Sequence, residues 1–175
     1  MHIVGKNKEN DVNGKARRAG RLHLAATAAI MVLIFVHSAM PADMSSAESG
    51  ILVGLLFRLF EGDPERTSFF VRKCAHFTEY LVLGFSLGFT VDDFVGMPET
   101  GGGKAKSLSL AWGIGALYAC TDEFHQRFVS GRSPELRDVG IDFCGACLGI
   151  GIYFAGAAIH KRIQIHRKKS EPQTE

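Results

Sequence analysis

The chain has 175 residues, of which 46% are hydrophobic and 22% are charged, and its formal net charge is +2. The charges are unevenly placed: residues 1–21 have a net charge of +4, residues 161–175 have +3, and the residues between them have −5. Basic ends around an apolar centre exclude a disordered chain and favour a small membrane bundle over a soluble core. A chain of this length forms one domain.

Four apolar segments follow one another along the chain. Residues 22–40 contain no Asp, Glu, Lys or Arg over 19 positions, and as a helix they would extend about 28 Å, close to the hydrocarbon thickness of a bilayer. Residues 69–91 have a charged first half and an apolar second half, whereas residues 107–121 and 143–160 carry no charge over 15 and 18 positions. Helices of soluble proteins usually have a polar face exposed to solvent, so these uncharged segments favour membrane spans over the buried helices of a soluble all-α domain.

The predicted fold is all-α: an integral membrane four-helix bundle with a short interfacial or re-entrant helix in the first outer loop. That short helix is ILVGLLFRLF at 51–60, because a segment of this length is too short to span a bilayer. Lys and Arg are concentrated in residues 1–21 and 161–175, which are therefore predicted to be basic cytoplasmic tails around a membrane domain at 22–160. The protein is expected in the cell membrane as a multi-pass protein with both termini cytoplasmic.

This topology assigns the loops to the two sides of the membrane. Loops 41–68 and 122–138 are predicted to face outward, and the connection 92–106 is predicted to face the cytoplasm. That connection contains GGGK at 101–104, which we expect to form a flexible turn. It is not expected to be a phosphate-binding loop, because no phosphate-loop pattern follows it.

Ionisable residues and glycines recur at helical spacing on the second segment. Arg72, His76, Tyr80, Gly84 and Gly88 occur at every fourth position, so they form one stripe on a helix. The half of the stripe near the outer end is ionisable, and the glycines in the other half would let another helix approach closely.

The fourth segment repeats this pattern with Asp138, Asp142, Gly145 and Gly149. The third segment ends in the polar sequence TDEFHQRF at 121–128. Lipid exposure of such side chains is costly, so we expect the three segments to share one polar pocket at their outer ends. The basic residues available to neutralise Glu79, Asp122, Asp138 and Asp142 are Arg72, Lys73, Arg132 and Arg137.

Three stretches carry a family resemblance. They read FVHSAMPADMSS at 35–46, RKCAHFTEYLVLG at 72–84 and DEFHQRFVSGRSPELRDVGIDFCGACLG at 122–149. In this order they resemble the VanZ-like family of small membrane proteins, which is associated with low-level resistance to the glycopeptide teicoplanin. Two positions depart from the family pattern: Asp142 stands where many members have Asn, and Ser130 where Pro usually precedes the glycine. The resemblance implies a multi-pass envelope protein with its polar block at the outer face, and it implies no reaction.

The pocket residues support a first hypothesis in which the protein binds a lipid-phosphate or a lipid-linked wall-precursor headgroup, with or without a reaction on it. His76 or His125 would transfer protons, a neighbouring carboxylate would orient the histidine, and arginines would hold the anion. The candidate catalytic residues are His76, Glu79, Asp122, Glu123 and His125. The candidate ligand-binding residues are Arg72, Lys73, Gln126, Arg132, Asp138 and Asp142.

Two further hypotheses use the same residues differently. In the second, the polar cluster is structural and the protein is a non-catalytic membrane interaction protein that alters access of a glycopeptide to its target or supports another envelope protein. In the third, the chain is a small proton-coupled transporter in which Glu79 couples protons. Membrane lipid is the expected partner throughout, and nucleic acid is not, because no aromatics interleave with the basic tails. The sequence has no compact metal-ligand motif such as HExxH and assigns no cofactor.

Overall fold

A computed structural model describes residues 2–40, 63–95, 101–132 and 135–170. These residues form four α-helices, and the described part of the chain contains no strand. The helices are α1 (His2–Ser38), α2 (Pro64–Val95), α3 (Gly101–Gln126) and α4 (Leu136–Ser170). Three of the four apolar segments predicted from the sequence lie within one of these helices each, and the segment 22–40 lies in α1 except for its last two residues. The all-α prediction is therefore confirmed for the described residues.

The helices extend beyond the apolar segments. α1 begins at His2 and includes the basic N-terminal residues, and α4 continues to Ser170. The predicted turn at 101–104 is wrong, because α3 already begins at Gly101. The first backbone N–H groups of a helix have no intrahelical partner. A helix formed by the apolar residues that follow can therefore begin within a glycine-rich segment. The short helix predicted at 51–60 lies outside the described residues.

The start of α2 is set by local sequence. The side chain of Asp63 accepts a hydrogen bond from the backbone N–H of Arg66 at 3.2 Å. Pro64 occupies the first helical position, where its missing N–H is not needed. Asp63 therefore caps the helix in the way expected of an aspartate before a helix N-terminus.

Glycines bring α2 and α4 into backbone contact. A Cβ added to Gly84 would lie 2.1 Å from the carbonyl oxygen of Ala146, and one added to Gly149 would lie 2.0 Å from that of Leu81. Gly145 approaches the carbonyl of Phe77 in the same way. The close approach predicted from the glycine spacing is confirmed, and it makes α2 and α4 the most extensively packed pair of helices.

The core is small and lies where all four helices meet. Its buried side chains are Ile34, Tyr80, Leu83, Leu87, Ala119 and Ala146. Many large apolar side chains lie on the outside instead, including Leu33 and Leu117, each 67% exposed. An outer surface of this kind suits lipid better than water.

Within the part of the chain that the structure describes, two helical segments are long and apolar enough to cross a membrane, Gly14–Ser38 and Leu136–Ser170. Only 17% and 22% of their most apolar windows are buried. The core helix of a soluble protein would be mostly buried, so these segments differ from such helices.

Candidate functional site

Polar side chains from all four helices meet at one end of the bundle. The end of α1, the first half of α2, the end of α3 and the start of α4 lie together there, and the loop after α3 closes it. We call this group the polar cluster. Its members are His37, His76, Glu79, Asp122, Gln126, Arg132 and Asp142.

Two short contacts tie α1 to the rest of the cluster. His37 Nδ1 lies 2.5 Å from Glu79 Oε1 on α2. The hydroxyl of Ser38 donates to Asp122 Oδ2 on α3 at 2.8 Å. The amide of Gln126 donates to the same oxygen at 3.2 Å, so this side of the Asp122 carboxylate is held by two neutral donors.

Arg132 closes the cluster from the loop after α3. Its Nε donates to the carbonyl of Met40 at 3.1 Å and its Nη2 to the carbonyl of His37 at 3.3 Å. These carbonyls lie at the end of α1, where the backbone lacks helical partners. Gly131, with φ of 76°, gives the chain the left-handed turn that directs Arg132 back toward α1.

Nη1 of Arg132 reaches the other side of the cluster. It donates to Gln126 Oε1 at 3.3 Å and lies 3.4 Å from His76 Nε2. Burial lowers the pKa of Arg132 below its ordinary value, and the nearby guanidinium of Arg72 lowers it further. The two arginines are thus close enough to repel each other.

Asp142 is the most isolated member of the cluster. Its side chain is 1% exposed, and neither of its oxygens has a hydrogen-bond partner among the described residues. The ring of His76 lies beside it, with Nδ1 3.8 Å from Asp142 Oδ1. His76, Asp122 and Asp142 each offer one ligand atom within 4.8 Å of the others.

A cavity of about 210 Å³ adjoins the cluster. His76, Gln126 and Arg132 line it from the cluster side, and Arg72 and Lys73 add two more basic groups. The remaining lining residues are Phe69, Gly131, Glu135 and Asp138. The cavity therefore combines three cations with a histidine.

The structure places the sequence-predicted residues in three groups. Arg72, Lys73, His76, Gln126, Arg132 and Asp138 line the cavity, and Glu79, Asp122 and Asp142 belong to the cluster beside it. Glu123 and His125 are not among the lining residues of the cavity. Glu123 accepts a hydrogen bond from the backbone N–H of Glu135 at 2.6 Å, and His125 stacks on Phe35 with ring centroids 4.2 Å apart. The chemical role of every one of these residues stays a prediction.

The expected charge pairing is largely replaced by other contacts. Lys73 does form an ion pair with Asp138. Arg137 instead pairs with Glu135 at 2.6 Å, and Arg132 is occupied by backbone carbonyls. Within the described residues, Glu79, Asp122 and Asp142 therefore have no Lys or Arg in ion-pair contact.

Sequence reasoning missed two members of the site. His37 and Ser38 were not among the candidate residues, although both contact a carboxylate of the cluster. The signal was present in the sequence, because both residues lie in the stretch FVHSAMPADMSS that carries part of the family resemblance.

A second polar group lies at the other end of the helices, about 20 Å away along α1 and α2. Thr27 Oγ1 lies 2.7 Å from Ser86 Oγ and 2.8 Å from Thr90 Oγ1. The other contacts there join His23 to Asp93 at 2.5 Å and the Tyr153 hydroxyl to Asp92 at 2.6 Å. We call this group the opposite-end cluster. Its members are His23, Thr27, Ser86, Thr90, Asp92, Asp93 and Tyr153.

Comparison with known proteins places the chain in a family. No match was found among the curated proteins or among the solved structures. The family model described as VanZ/LLP1 matches residues 23–159, a range that includes every member of both polar clusters. The resemblance seen in the sequence is thereby confirmed. The chain belongs to the VanZ/LLP1 family.

Proposed function

We propose that this protein is a multi-pass membrane protein of the cell envelope that binds the anionic headgroup of a lipid phosphate in the cavity beside the polar cluster. The four helices form a membrane bundle with both termini cytoplasmic, and the polar cluster faces outward. Residues 1–21 and 161–175 are its basic cytoplasmic tails, and residues 22–160 are its membrane domain. Support for this topology comes from the exposed apolar side chains and from the concentration of Lys and Arg in both tails.

The observation that carries the proposal is the grouping of Arg72, Lys73 and Arg132 around one cavity of about 210 Å³. The charge of Lys73 is balanced by Asp138, whereas burial and the nearby guanidinium of Arg72 lower the pKa of Arg132. An anion between the two guanidinium groups would reverse their repulsion. A phosphate fits best, because the planar guanidinium donates two parallel hydrogen bonds to it.

An apolar groove provides space for the lipid chain. It has a volume of about 520 Å³, lies between α1 and α2, and is lined mainly by apolar side chains such as Ile30, Leu33 and Val82. Glu79 lines one part of the groove and also contacts His37 in the polar cluster. The groove therefore lies next to the polar cluster, as the binding of a lipid with a polar headgroup requires.

His76 is the group best placed for proton transfer to such a headgroup. It lines the cavity, and Asp142 lies behind its other ring nitrogen, an arrangement that orients an imidazole. A lipid-linked wall precursor is the headgroup that connects this site with teicoplanin tolerance. In that case the protein would change how much precursor a glycopeptide can reach.

Binding of inorganic phosphate and of a short-chain isoprenyl phosphate to the purified full-length protein in detergent micelles tests the proposal. Arg72→Ala is the informative variant, because the side chain lines the cavity and makes no hydrogen bond or ion pair with another described residue. We expect it to weaken binding about tenfold or more, since hydrogen bonds to charged groups are worth ~1.5–3 kcal/mol.

Arg127→Ala is the matched control, because Arg127 is exposed in the same loop region and contacts only the Phe124 ring among the described side chains. We expect its affinity to stay within about twofold of the parent protein, as for most surface charges. Equal binding by the parent protein and Arg72→Ala would refute the anion site.

One observation favours a second candidate function, that of a non-catalytic membrane interaction protein. Arg132 donates hydrogen bonds to two backbone carbonyls at the end of α1, and these contacts stabilise the fold. Under this alternative, Arg132→Ala lowers protein abundance and teicoplanin tolerance in parallel. Loss of tolerance at unchanged abundance would favour the binding site instead.

A further inference from the structure

The carboxylates of the polar cluster are buried without enough partners. Asp142 is 1% exposed and Asp122 is 2% exposed. Both oxygens of Asp142 lack a hydrogen-bond donor within the described part of the chain. Oδ1 of Asp122 also lacks a donor in good geometry, and the buried hydroxyl of Tyr80 is the neutral group that lies near this carboxylate. An ionised carboxylate in such a place is strongly destabilised unless a positive charge or several donors reach it.

No basic side chain among the described residues takes that place. Lys73 is engaged with Asp138, and the donors of Arg132 reach two carbonyls, Gln126 and the ring of His76. The buried carboxylates are stabilised either by protons that they share or by a cation that the chain does not supply. The positions of His76, Asp122 and Asp142 relative to one another favour the cation.

We propose that His76, Asp122 and Asp142 bind a divalent transition-metal ion. Their ligand atoms lie within 4.8 Å of one another, and His76 Nδ1 is 3.8 Å from Asp142 Oδ1. Two ligands on one ion with bonds of about 2.1 Å lie roughly 3.0–4.2 Å apart. The pair already satisfies this spacing, and small side-chain rotations bring Asp122 into it.

The surroundings of Asp122 fit a metal ligand held by neighbouring donors. Ser38 and Gln126 both donate to Oδ2, which restrains the carboxylate and leaves Oδ1 without a hydrogen-bond partner among the described residues. Outer hydrogen bonds of this kind orient metal ligands in proteins. The site thus has three ligands from three helices and leaves open positions on the ion.

The ligand set points to Mn²⁺ or Zn²⁺. Imidazole suits Zn²⁺, carboxylates suit Mn²⁺, and one histidine with two aspartates accommodates either ion. Coordination through Nδ1 puts the ring hydrogen on Nε2, so this N–H and Nη1 of Arg132, now 3.4 Å apart, become two donors that face each other. An anion in the cavity would accept hydrogen bonds from both groups. This coupling rests on the proposed function, whereas the metal site itself does not.

Metal binding to the full-length protein in detergent micelles tests the site directly. After EDTA treatment and removal of the chelator, we expect the parent protein to bind about one Mn²⁺ or Zn²⁺ per chain, with a rise in thermal unfolding temperature. Asp142→Asn should bind the same ion at least about tenfold more weakly, with no rise in unfolding temperature. The measurements are elemental analysis after dialysis and a thermal unfolding titration with each metal chloride.

Asp93→Asn is the matched control, because Asp93 pairs with a histidine at the other end of α2, the helix that carries His76. It should bind the ion as the parent protein does. With Mn²⁺ bound, pulsed electron paramagnetic resonance should detect a coupled ¹⁴N nucleus in the parent protein and in His23→Gln, and that signal should disappear in His76→Gln.

The proposal is overturned if the parent protein binds neither ion, or if Asp142→Asn binds as strongly as the parent protein. Shared protons would then explain the cluster. Failure here is distinguishable from failure of the anion site, because Arg72→Ala should leave the affinity for Mn²⁺ and Zn²⁺ unchanged in the absence of phosphate.

Discussion

The two ends of the helix bundle bury polar groups in opposite ways. In the opposite-end cluster, each hydroxyl or carboxylate that is buried meets a partner from another helix, as Thr27 does with Ser86 and Thr90. In the polar cluster, the fully buried Asp142 has no donor among the described residues. Both clusters join α1 to α2, so the difference does not follow from the helix pairing.

The difference separates a structural network from a site that needs a ligand. A network whose members satisfy each other adds stability and specifies helix register. A group of buried carboxylates without donors is unfavourable by itself and persists in a fold when something else completes it. The shortage of hydrogen-bond donors in the polar cluster is therefore a physical reason for assigning a ligand site to that end of the bundle and not to the opposite-end cluster.

The largest expected effect comes from the contact that holds both clusters in place. Gly149→Ala puts a Cβ 2.0 Å from the carbonyl oxygen of Leu81, so α2 and α4 must separate. We expect a loss of more than about 3 kcal/mol of stability and failure of both clusters together. Yield and monodispersity in size-exclusion chromatography give the first measurement, and thermal unfolding gives the second.

Gly156→Ala is the matched control on the same helix, because nothing lies within 4 Å of its added Cβ. Alanine there should leave stability equal or slightly higher, since it has the better helix propensity. If Gly149→Ala and Gly156→Ala behaved alike, the close contact between α2 and α4 would be wrong, and the placement of both clusters with it.

The next prediction compares the two clusters by the sign of a mutational effect. In EDTA, Asp142→Asn removes a buried carboxylate that has no donor, so we expect a gain of about 1–3 kcal/mol. Thr27→Val removes a buried hydroxyl that has two partners, so we expect a loss of about 1–2 kcal/mol. Thermal unfolding of both variants in the same detergent provides the measurement.

Opposite signs would support the distinction between the two ends. Asp142→Asn losing as much stability as Thr27→Val would mean that the Asp142 carboxylate already has a partner in the folded protein. The polar cluster would then be a structural network like the other one, and the reason for placing a ligand there would disappear.

Some of this architecture could be predicted from the sequence. The spacing of Gly84, Gly145 and Gly149 predicts the contact between α2 and α4, because glycines at intervals of three or four residues share one helix face. The same reasoning places Arg72 and His76 on one stripe, and the structure has both lining one cavity. Periodicity is a local property, and it succeeds where contacts depend on which face a residue occupies.

The contacts that define the polar cluster could not be predicted in this way. His37 and Glu79 are 42 residues apart, and Ser38 and Asp122 are 84 apart, so no spacing rule relates them. The hydroxyls of the opposite-end cluster look like ordinary residues of an apolar helix until their partners are known. The charges in the sequence also predicted the wrong partners for Arg132, because its donors are directed to backbone carbonyls and not to the carboxylates of the cluster.

The smallest expected effect concerns the ion pair at the mouth of the cavity. Lys73 and Asp138 are 21% and 16% exposed, so solvent screens their attraction. A double-mutant cycle with Lys73→Met and Asp138→Asn should give a coupling energy of about 0.5–1 kcal/mol. Methionine keeps the packing of the Lys73 stem, which lies against Phe69.

One of these variants also tests anion binding in the cavity, although the coupling energy of the ion pair is small. Asp138 competes with an incoming anion for Lys73, so Asp138→Asn should bind phosphate a few-fold more tightly, an effect of about 0.5–1 kcal/mol. Glu135→Gln controls for the loss of one negative charge at the cavity, because Glu135 pairs with Arg137 instead, and it should change affinity less. Weaker phosphate binding by Asp138→Asn would show that the anion does not use Lys73, and that the basic groups around the cavity do not act together on one ligand.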